Sequence, residues 1–313
     1  MNLNKLPEIP WYMDLGAKAR NLYRDCPLDI KNEISFFLDH GYVVLKNSLP
    51  PERIESARNA FYRHKKKYAN IYARHADVNG LQRRIVNLHM ALYEFQDIFS
   101  LNTRALKIQD YLFQSPSTCF TSLTFESGSE QSIHRDSPYF TTTPEYYYLG
   151  VWVALERVDH LNGALEIYDG GHLVHEVDRF EIFERYYKYG DQIDQMDPRL
   201  WADYQQATIE SCIAKGLEKK IVPMEPGDTL IWHPHLPHGG SAISSQGRSR
   251  LSIVNHVVPS GVPVSGLNVF YRNSNPPDSV NYGYMNHADR NFLIHKNVEF
   301  QHADPQPANE FRN

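Results

Sequence analysis

An imidazole and a carboxylate two positions apart, His134 and Asp136, followed far downstream by His238 and Arg250, are the residues of this chain best suited to chemistry. Two histidines and one carboxylate form the three-ligand face that holds ferrous iron and leaves the opposite face open to reacting molecules. The guanidinium beyond the second histidine is something a metal hydrolase would not need. It is a fixed cation able to take the far carboxylate of a dicarboxylate cosubstrate through a bidentate fork. The four residues together favour oxygen activation over hydrolysis.

In extended backbone, positions i and i+2 project to one side, so one metal can meet His134 and Asp136 while Arg135 points away. A kinase reading of His134-Arg135-Asp136 fails, because no asparagine follows at the required spacing and no Gly-rich loop or Asp-Phe-Gly is present. The third ligand comes from the run His233-Pro234-His235-Leu236-Pro237-His238. His238 is preferred because Gly239-Gly240-Ser241 follows it, a tight turn with little bulk beside a metal; His235 is the alternative, and His233 suits a strand end. On the returning strand Arg250, Ser252, Val254 and His256 share one face, and Leu251, Ile253 and Asn255 the other. A guanidinium and a hydroxyl two residues apart make a carboxylate receptor. Arg248 becomes the anchor if the register shifts by two.

These residues need strands to position them. Apolar spacing over Ile30, Ile34, Phe37 and Leu38, ending at His40-Gly41, predicts a helix with a glycine C-cap. Tyr42 to Leu45 reads as a short strand, Leu49-Pro50-Pro51 opens another helix, and helical signal continues over 90–112. From about residue 117 the period shortens to two. Strands are expected at 118–125, 147–155, 164–168, 229–233 and 250–258, separated by Gly, Asn and Asp turns. The expected fold is mainly β with flanking helices around a double-stranded β-helix, a jelly-roll, cupin-like core. One oxygenase domain is expected over 1–313: an N-terminal arm (1–27), a helical front region (28–115), a jelly-roll core (116–260) with a helical insertion (173–220), and a C-terminal extension (261–313). The insertion lies between the metal-ligand segments and reads equally as a lid or as a surface excursion that only packs.

Composition removes other classes. Hydrophobic residues at 42%, charged residues at 22% and a formal net charge of −5 suit a soluble globular chain without a basic field for nucleic acid. The Lys65-Lys66-Lys67 run reads as a solvated helix face. No apolar stretch approaches a membrane span, and residues 1–11 lack the apolar core of a secretory signal. Cys26, Cys119 and Cys212 are far apart and unmatched, so reduced, buried thiols and a cytoplasmic location are expected. Oligomeric state is not encoded in any motif.

Longer segments carry a resemblance. Phe37-Leu38-Asp39-His40-Gly41-Tyr42-Val43-Val44-Leu45-Lys46-Asn47, the segment Ile133-His134-Arg135-Asp136-Ser137-Pro138-Tyr139, and the strand Val151-Trp152-Val153-Ala154-Leu155-Glu156 come first. Asn162-Gly163-Ala164-Leu165-Glu166-Ile167-Tyr168-Asp169-Gly170-Gly171-His172 follows, and then Gly227-Asp228-Thr229-Leu230 leads into His238-Gly239-Gly240-Ser241. Together they resemble the phytanoyl-CoA dioxygenase (PhyH-like) branch of the iron(II)/2-oxoglutarate oxygenases. Gly171 stands where that family usually has serine, and Tyr168-Asp169 where it has Tyr/Ile-Pro. The resemblance implies His134, Asp136 and His238 as iron ligands, Arg250 as anchor of the 2-oxoglutarate C5 carboxylate, and Ser252 and Thr124 as further contacts. It also implies O2 as oxidant, with 2-oxoglutarate decarboxylated to succinate. Because Asp136 is retained, hydroxylation is favoured over halogenation.

Arg84, Asn87, His89, Tyr139 and Trp152 are candidates for the substrate pocket. A small polar metabolite or sugar acid is the expected substrate. The competing readings are a cupin-like zinc hydrolase or isomerase with the same ligands, and a non-catalytic small-molecule-binding jelly roll.

Overall fold

Helices form where apolar spacing and end residues favour them. The computed structural model describes residues 6–13, 16–137, 139–188, 190–191, 194, 197–266 and 283–312. Parts of the arm, the insertion and the C-terminal extension therefore fall outside the described residues, as does Pro138. After α1 (Ala17–Arg24), α2 (Lys31–His40) ends on Gly41 in the left-handed conformation at φ 80°, and β1 (Tyr42–Leu45) begins at once. Helix α3 (Pro51–Lys67) has proline in its first turn, and α4 is Ala69–His75. After β2 (Ile85–Val86), the helical signal over 90–112 divides into α5 (Tyr93–Ser100) and α6 (Thr103–Phe113). The division falls at Asn102, whose side chain accepts from the Ala105 N–H and caps α6.

The strands are β3 (Ser117–Phe125), β4 (Phe140–Thr142), β5 (Leu149–Ala154), β6 (Leu165–Tyr168), β7 (Lys219–Val222), β8 (Thr229–Trp232), β9 (His238–Gly240) and β10 (Ser252–Pro259). Beyond them lie β11 (Val264–Gly266), β12 (Tyr284–His287), β13 (Arg290–Leu293), β14 (Asn297–Phe300) and β15 (Asp304–Pro307), with α7 (Arg179–Glu184) and α8 (Pro198–Ala214) between β6 and β7. The large sheet runs β1-β8-β5-β10-β3-β2-β14-β15, and a smaller one runs β7-β6-β9. The strand expectations hold to within a few residues. Strands β2, β4, β7, β9 and β11–β15 are additions, because runs of two to four residues are too short for a period-two apolar signal to stand out.

Alternation decides what each face of the large sheet does. Leu149, Val151, Ile231 and Val257 turn toward Phe37, Phe99, Ile108 and Leu112 of the helices. Val153, Leu251 and Ile253 meet Ile54, Phe61, Phe95 and the C-terminal Phe300 in a second helix-side cluster. The opposite face presents Phe125, Trp152, Leu230, Trp232 and Val254 to Ile167 and Val222 of the small sheet. A cavity of about 470 Å³ opens between the two sheets.

The Lys65 side chain is not solvated as its basic run suggested: it reaches the buried Glu126 at 2.8 and 2.7 Å. Glu126 in turn accepts from the Gln82 N–H, and its carbonyl accepts from the Arg250 N–H at 2.8 Å. All three cysteines are buried and free.

Buried histidines give the fold an acid limit. The Tyr72 hydroxyl donates to Nδ1 of His64 at 2.8 Å and Nε2–H donates to the Phe311 carbonyl at 2.7 Å, a pattern that suits the neutral ring. Burial pushes His64 down to about 4 and His89 to about 3. An unfolded histidine titrates near 6.5. Below that pH the unfolded chain takes up protons that the folded chain does not, so stability is complete above it and falls as the pH drops toward 4. Thermal midpoints measured from pH 7.5 to 4.5 should decline through this window, and His64→Gln should flatten part of the slope while lowering the midpoint at neutral pH.

Candidate metal centre and pocket

His134 and His238 start from paired backbone positions. Each N–H donates to the other's carbonyl at 2.9 Å in an isolated antiparallel bridge, which sets their imidazoles side by side with centroids 4.6 Å apart. Asp136, two residues on, completes the cluster. One ligand atom from each of the three lies within 4.8 Å of the others, and all three residues are buried. Nδ1–H of His134 donates to the Ser132 carbonyl at 2.8 Å and Nδ1–H of His238 to the Leu236 carbonyl at 2.9 Å. A carbonyl can only accept, so the proton sits on Nδ1 and each Nε2 lone pair faces the shared point. Burial pushes His238 down to about 4, despite the opposing effect of Asp136.

Asp136 is held from behind. Its Oδ2 accepts from Trp232 Nε1 at 2.7 Å and from the Tyr148 hydroxyl at 2.8 Å and lies 3.6 Å from His238 Nε2, while Oδ1, free of those donors, faces His134 Nε2 at 3.6 Å. Burial alone would raise the carboxyl, but the facing imidazoles of His238 and His134 outweigh it and keep it below the usual carboxylate range. The donor set of two imidazole nitrogens and one oriented carboxylate fits a divalent transition metal with an open side. His235, the alternative ligand, stands elsewhere: its ring lies 4.7 Å from that of Tyr146, and its Nε2 is 3.6 Å from Glu176.

The two glycines after His238 serve a different purpose from the expected tight turn. They lie in β9, where a Cβ on Gly239 would meet the Gln131 carbonyl at 2.6 Å and one on Gly240 the Ser129 hydroxyl at 2.5 Å. They let the 129–133 segment cross closely and bring His134 to His238. Gly150 does the same for the carboxylate. It is the register partner of Trp232, and a Cβ there would lie 2.0 Å from the indole. Gly150→Ala should therefore push the indole off Asp136. Overpacking of this kind costs about 1–3 kcal/mol, and losing a ligand's support weakens metal by about tenfold or more. An anaerobic ferrous titration beside a thermal melt would read both; an affinity equal to that of the unaltered chain would show that the indole's position does not matter.

Across the cavity, Arg250 is 4% exposed and its Nε has no hydrogen-bond partner. The guanidinium carbon lies 5.2 Å from the Trp152 ring centroid and 5.8 Å from that of Phe125. Burial lowers its pKa to about 10, still a cation at neutral pH. Its competitor Arg248 is committed to Asp159 through contacts of 3.1 and 2.7 Å. Ser252 lies on the cavity face opposite Phe125, and its hydroxyl is buried without a partner. Thr124 needs correction. It pairs with Ile253 and Ile85, so it faces the helix-side core, and Thr121, in register with His256, is the strand hydroxyl that lines the cavity.

The profile of the phytanoyl-CoA dioxygenase (PhyH) family matches residues 37–252, more than half of the sequence. The chain belongs to the phytanoyl-CoA dioxygenase family. The peroxisomal phytanoyl-CoA dioxygenase of Bos taurus is 25% identical over 234 residues, covering 68% of this chain and 64% of that protein. The chain spans a third to just under two thirds of the length of the curated relatives it matches. Among solved structures, EctD from S. alaskensis with 2-oxoglutarate and 5-hydroxyectoine superposes with a TM-score of 0.55 at 15% identity, over 83% of this chain and 86% of that one. The epimerase SnoN in complex with Fe3+, alpha ketoglutarate and nogalamycin RO gives 0.52 at 17% identity, over 86% and 99%. At those identities the likeness concerns the fold, the double-stranded β-helix of 2-oxoglutarate oxygenases.

Within this phytanoyl-CoA dioxygenase fold the expected pocket residues divide. Arg84, Tyr139 and Trp152 line the cavity. Asn87 and His89 do not. The Asn87 side-chain carbonyl accepts from Thr121 at 2.6 Å, and His89 Nδ1 lies 2.7 Å from the Ser122 hydroxyl, so both brace β3 rather than line the cavity. The insertion reaches the site where Trp201 of α8 stacks on Tyr139 at 3.9 Å, and its Val174 carbonyl accepts from the Arg135 guanidinium at 2.9 Å. Sequence reasoning missed Trp232, Tyr148, Gln131 and His302. His256 was placed on the right face without a role; it lines the cavity 3.1 Å from the Tyr148 hydroxyl. Only Gln131, three residues before His134 and 3.3 Å from its Nε2, had a local signal.

Proposed function

We propose that this chain is an iron(II)- and 2-oxoglutarate-dependent oxygenase that hydroxylates a small molecule. The observation that carries this reading is the pairing of an oriented His-Asp-His cluster with Arg250, a buried cation with no ion-pair partner among the described residues, across one cavity. His134 Nε2, His238 Nε2 and Asp136 Oδ1 would hold the iron, and Arg250, with Ser252 beside it, the C5 carboxylate of 2-oxoglutarate. Bound iron would supply the coupling of O2 to a substrate C–H bond and 2-oxoglutarate, giving the alcohol, succinate and carbon dioxide.

The protein's part is orientation and exclusion of water. The carbonyls of Ser132 and Leu236 fix the imidazole tautomers, Trp232 and Tyr148 fix the carboxylate, and Trp152 and Phe125 wall the guanidinium from solvent. Membership of the phytanoyl-CoA dioxygenase family supports the reading, as do the 2-oxoglutarate and iron that accompany SnoN, a protein of like fold. A zinc hydrolase would leave Arg250 without a task. The expected sugar acid keeps its acidic half in this reading, because Arg84 faces the cavity; its polyol half meets walls of Val86, Phe120, Leu123, Phe140 and Leu165.

The test is anaerobic addition of ferrous iron and 2-oxoglutarate. A weak visible charge-transfer band should appear, and admission of O2 should release succinate. Tight zinc binding with neither band nor succinate would overturn the proposal.

A further inference from the structure

Arg84 is a second cation in the same cavity. It precedes β2 and lines the wall, and its NH2 donates to the neutral Gln131 side-chain oxygen at 3.3 Å. The guanidinium carbon lies 5.8 Å from the Phe125 ring centroid. Among the described residues no carboxylate lies within ion-pair distance of it. Burial lowers its pKa, and the titratable groups that face it, the Tyr139 hydroxyl and the His256 and His302 rings, include no carboxylate. His302, at the cavity edge, adjoins it from the β14–β15 turn, where Gln301 and His302 both hold positive φ of 51° and 59°. The Gln301 N–H donates to the Arg84 carbonyl at 3.1 Å, so this strained turn is tied to the arginine's own backbone.

Charge balance makes the arginine informative, and this step rests on the cofactor reading above. A metal dication, the Asp136 carboxylate, the two carboxylates of 2-oxoglutarate and the Arg250 cation cancel. Arg84 would then be the one uncompensated charge in a cavity walled by Val86, Phe120, Leu123, Phe125 and Phe140. Arg84 is half-buried, so part of the cost of an unpaired charge applies there, and a matching anion relieves it. Burial pushes His256 down to about 4 and lowers His302 as well, so neither ring adds charge at neutral pH. A guanidinium fork suits a planar carboxylate, and the aromatic and aliphatic walls suit an apolar body.

We infer that Arg84 is the specificity-determining anchor of the substrate, and that the substrate is an apolar molecule carrying a single carboxylate. An acyl thioester has no such group at its carbonyl end, and a sugar acid has no apolar body. Gln131 bridges the anchor to the metal site, since its oxygen meets Arg84 and its nitrogen lies 3.3 Å from His134 Nε2. A carboxylate bound there would thereby lie on the His134 side of the cavity.

The test uses two matched pairs, 4-phenylbutyrate against 4-phenylbutanamide and octanoate against octanamide. Each is titrated into the full chain loaded anaerobically with ferrous iron and 2-oxoglutarate. Fluorescence of Trp152 and Trp232, which line the cavity, reports binding. At least one acid should bind about tenfold tighter than its amide, the size of one charge-assisted hydrogen bond. Arg84→Gln should abolish that preference, Arg84→Lys should keep part of it, and Arg83→Ala, at the exposed neighbouring position, should retain all of it. Amides that bind as well as both acids, or a preference that survives Arg84→Gln, would overturn the inference. If Arg84→Gln does not fold, loss of preference in Arg84→Lys relative to Arg83→Ala carries the decision. The visible band, recorded before any acid is added, tests the cofactor reading by itself. Should it be absent, the same titrations on metal-free protein still decide whether Arg84 selects an anion.

Discussion

Asp136→Asn loses iron as completely as Asp136→Ala while keeping more of the fold's stability. The reason lies behind the carboxylate. Trp232 Nε1–H and the Tyr148 hydroxyl both donate to Oδ2, at 2.7 and 2.8 Å, so an asparagine must turn its single oxygen toward them. Its NH2 group, which cannot ligate, then takes the Oδ1 position that faces His134. Loss of a supporting partner behind a ligand costs about 10- to 100-fold in metal affinity, so loss of the charged ligand itself should exceed about 100-fold. Alanine removes the acceptor as well and leaves a buried indole N–H unpaired, a further penalty of about 1–3 kcal/mol. Ferrous titration and thermal melting of the two variants give the comparison. Asparagine that binds iron within a few-fold of the unaltered chain would mean that Oδ2 is the ligating oxygen.

Arg250→Ala weakens 2-oxoglutarate by about 30-fold or more, since truncating one partner of a buried charge pair costs about 2–5 kcal/mol. The metal-free fold should barely notice. In the absence of a cosubstrate the guanidinium is a buried cation over Trp152 and Phe125 with an unpartnered Nε, so its removal relieves desolvation. The thermal midpoint without ligand should hold or rise, and the stabilisation that 2-oxoglutarate gives the iron-loaded chain should disappear. Arg250→Lys should fall between, because an ammonium keeps the charge and loses the fork. A purely structural arginine would do the opposite, lowering the ligand-free midpoint and sparing the 2-oxoglutarate shift.

Much of this site is legible without coordinates because it depends on backbone periods. His134 and Asp136 face one point because extended backbone repeats every two residues, and Arg250, Ser252, Val254 and His256 share a face for the same reason. The same rule misplaces Thr124 when applied without a partner strand. Its own alternation is clear, but which face is the cavity depends on pairing with Ile253 rather than Ser252. Lys65 shows the same limit on a helix: its charge suggests water, and only the packing of α3 brings it to Glu126.

By itself, then, the sequence determined the double-stranded β-helix class, the grouping of His134, Asp136 and His238, the cavity-facing side of Arg250 and the family. Each is carried by local spacing or by motifs a few residues long. The tertiary structure decided which groups stand behind those residues. Trp232 lies 96 positions from Asp136, His256 lies 108 from Tyr148, and Gly150 has a purpose only once the Trp232 indole lies against it. It also decided that Asn87 and His89 are braces and that Arg84 faces the cavity with no carboxylate at ion-pair distance among the described residues. These outcomes come from strand register and close approach, which no local period encodes, because partners a hundred residues apart meet only after the sheets have paired.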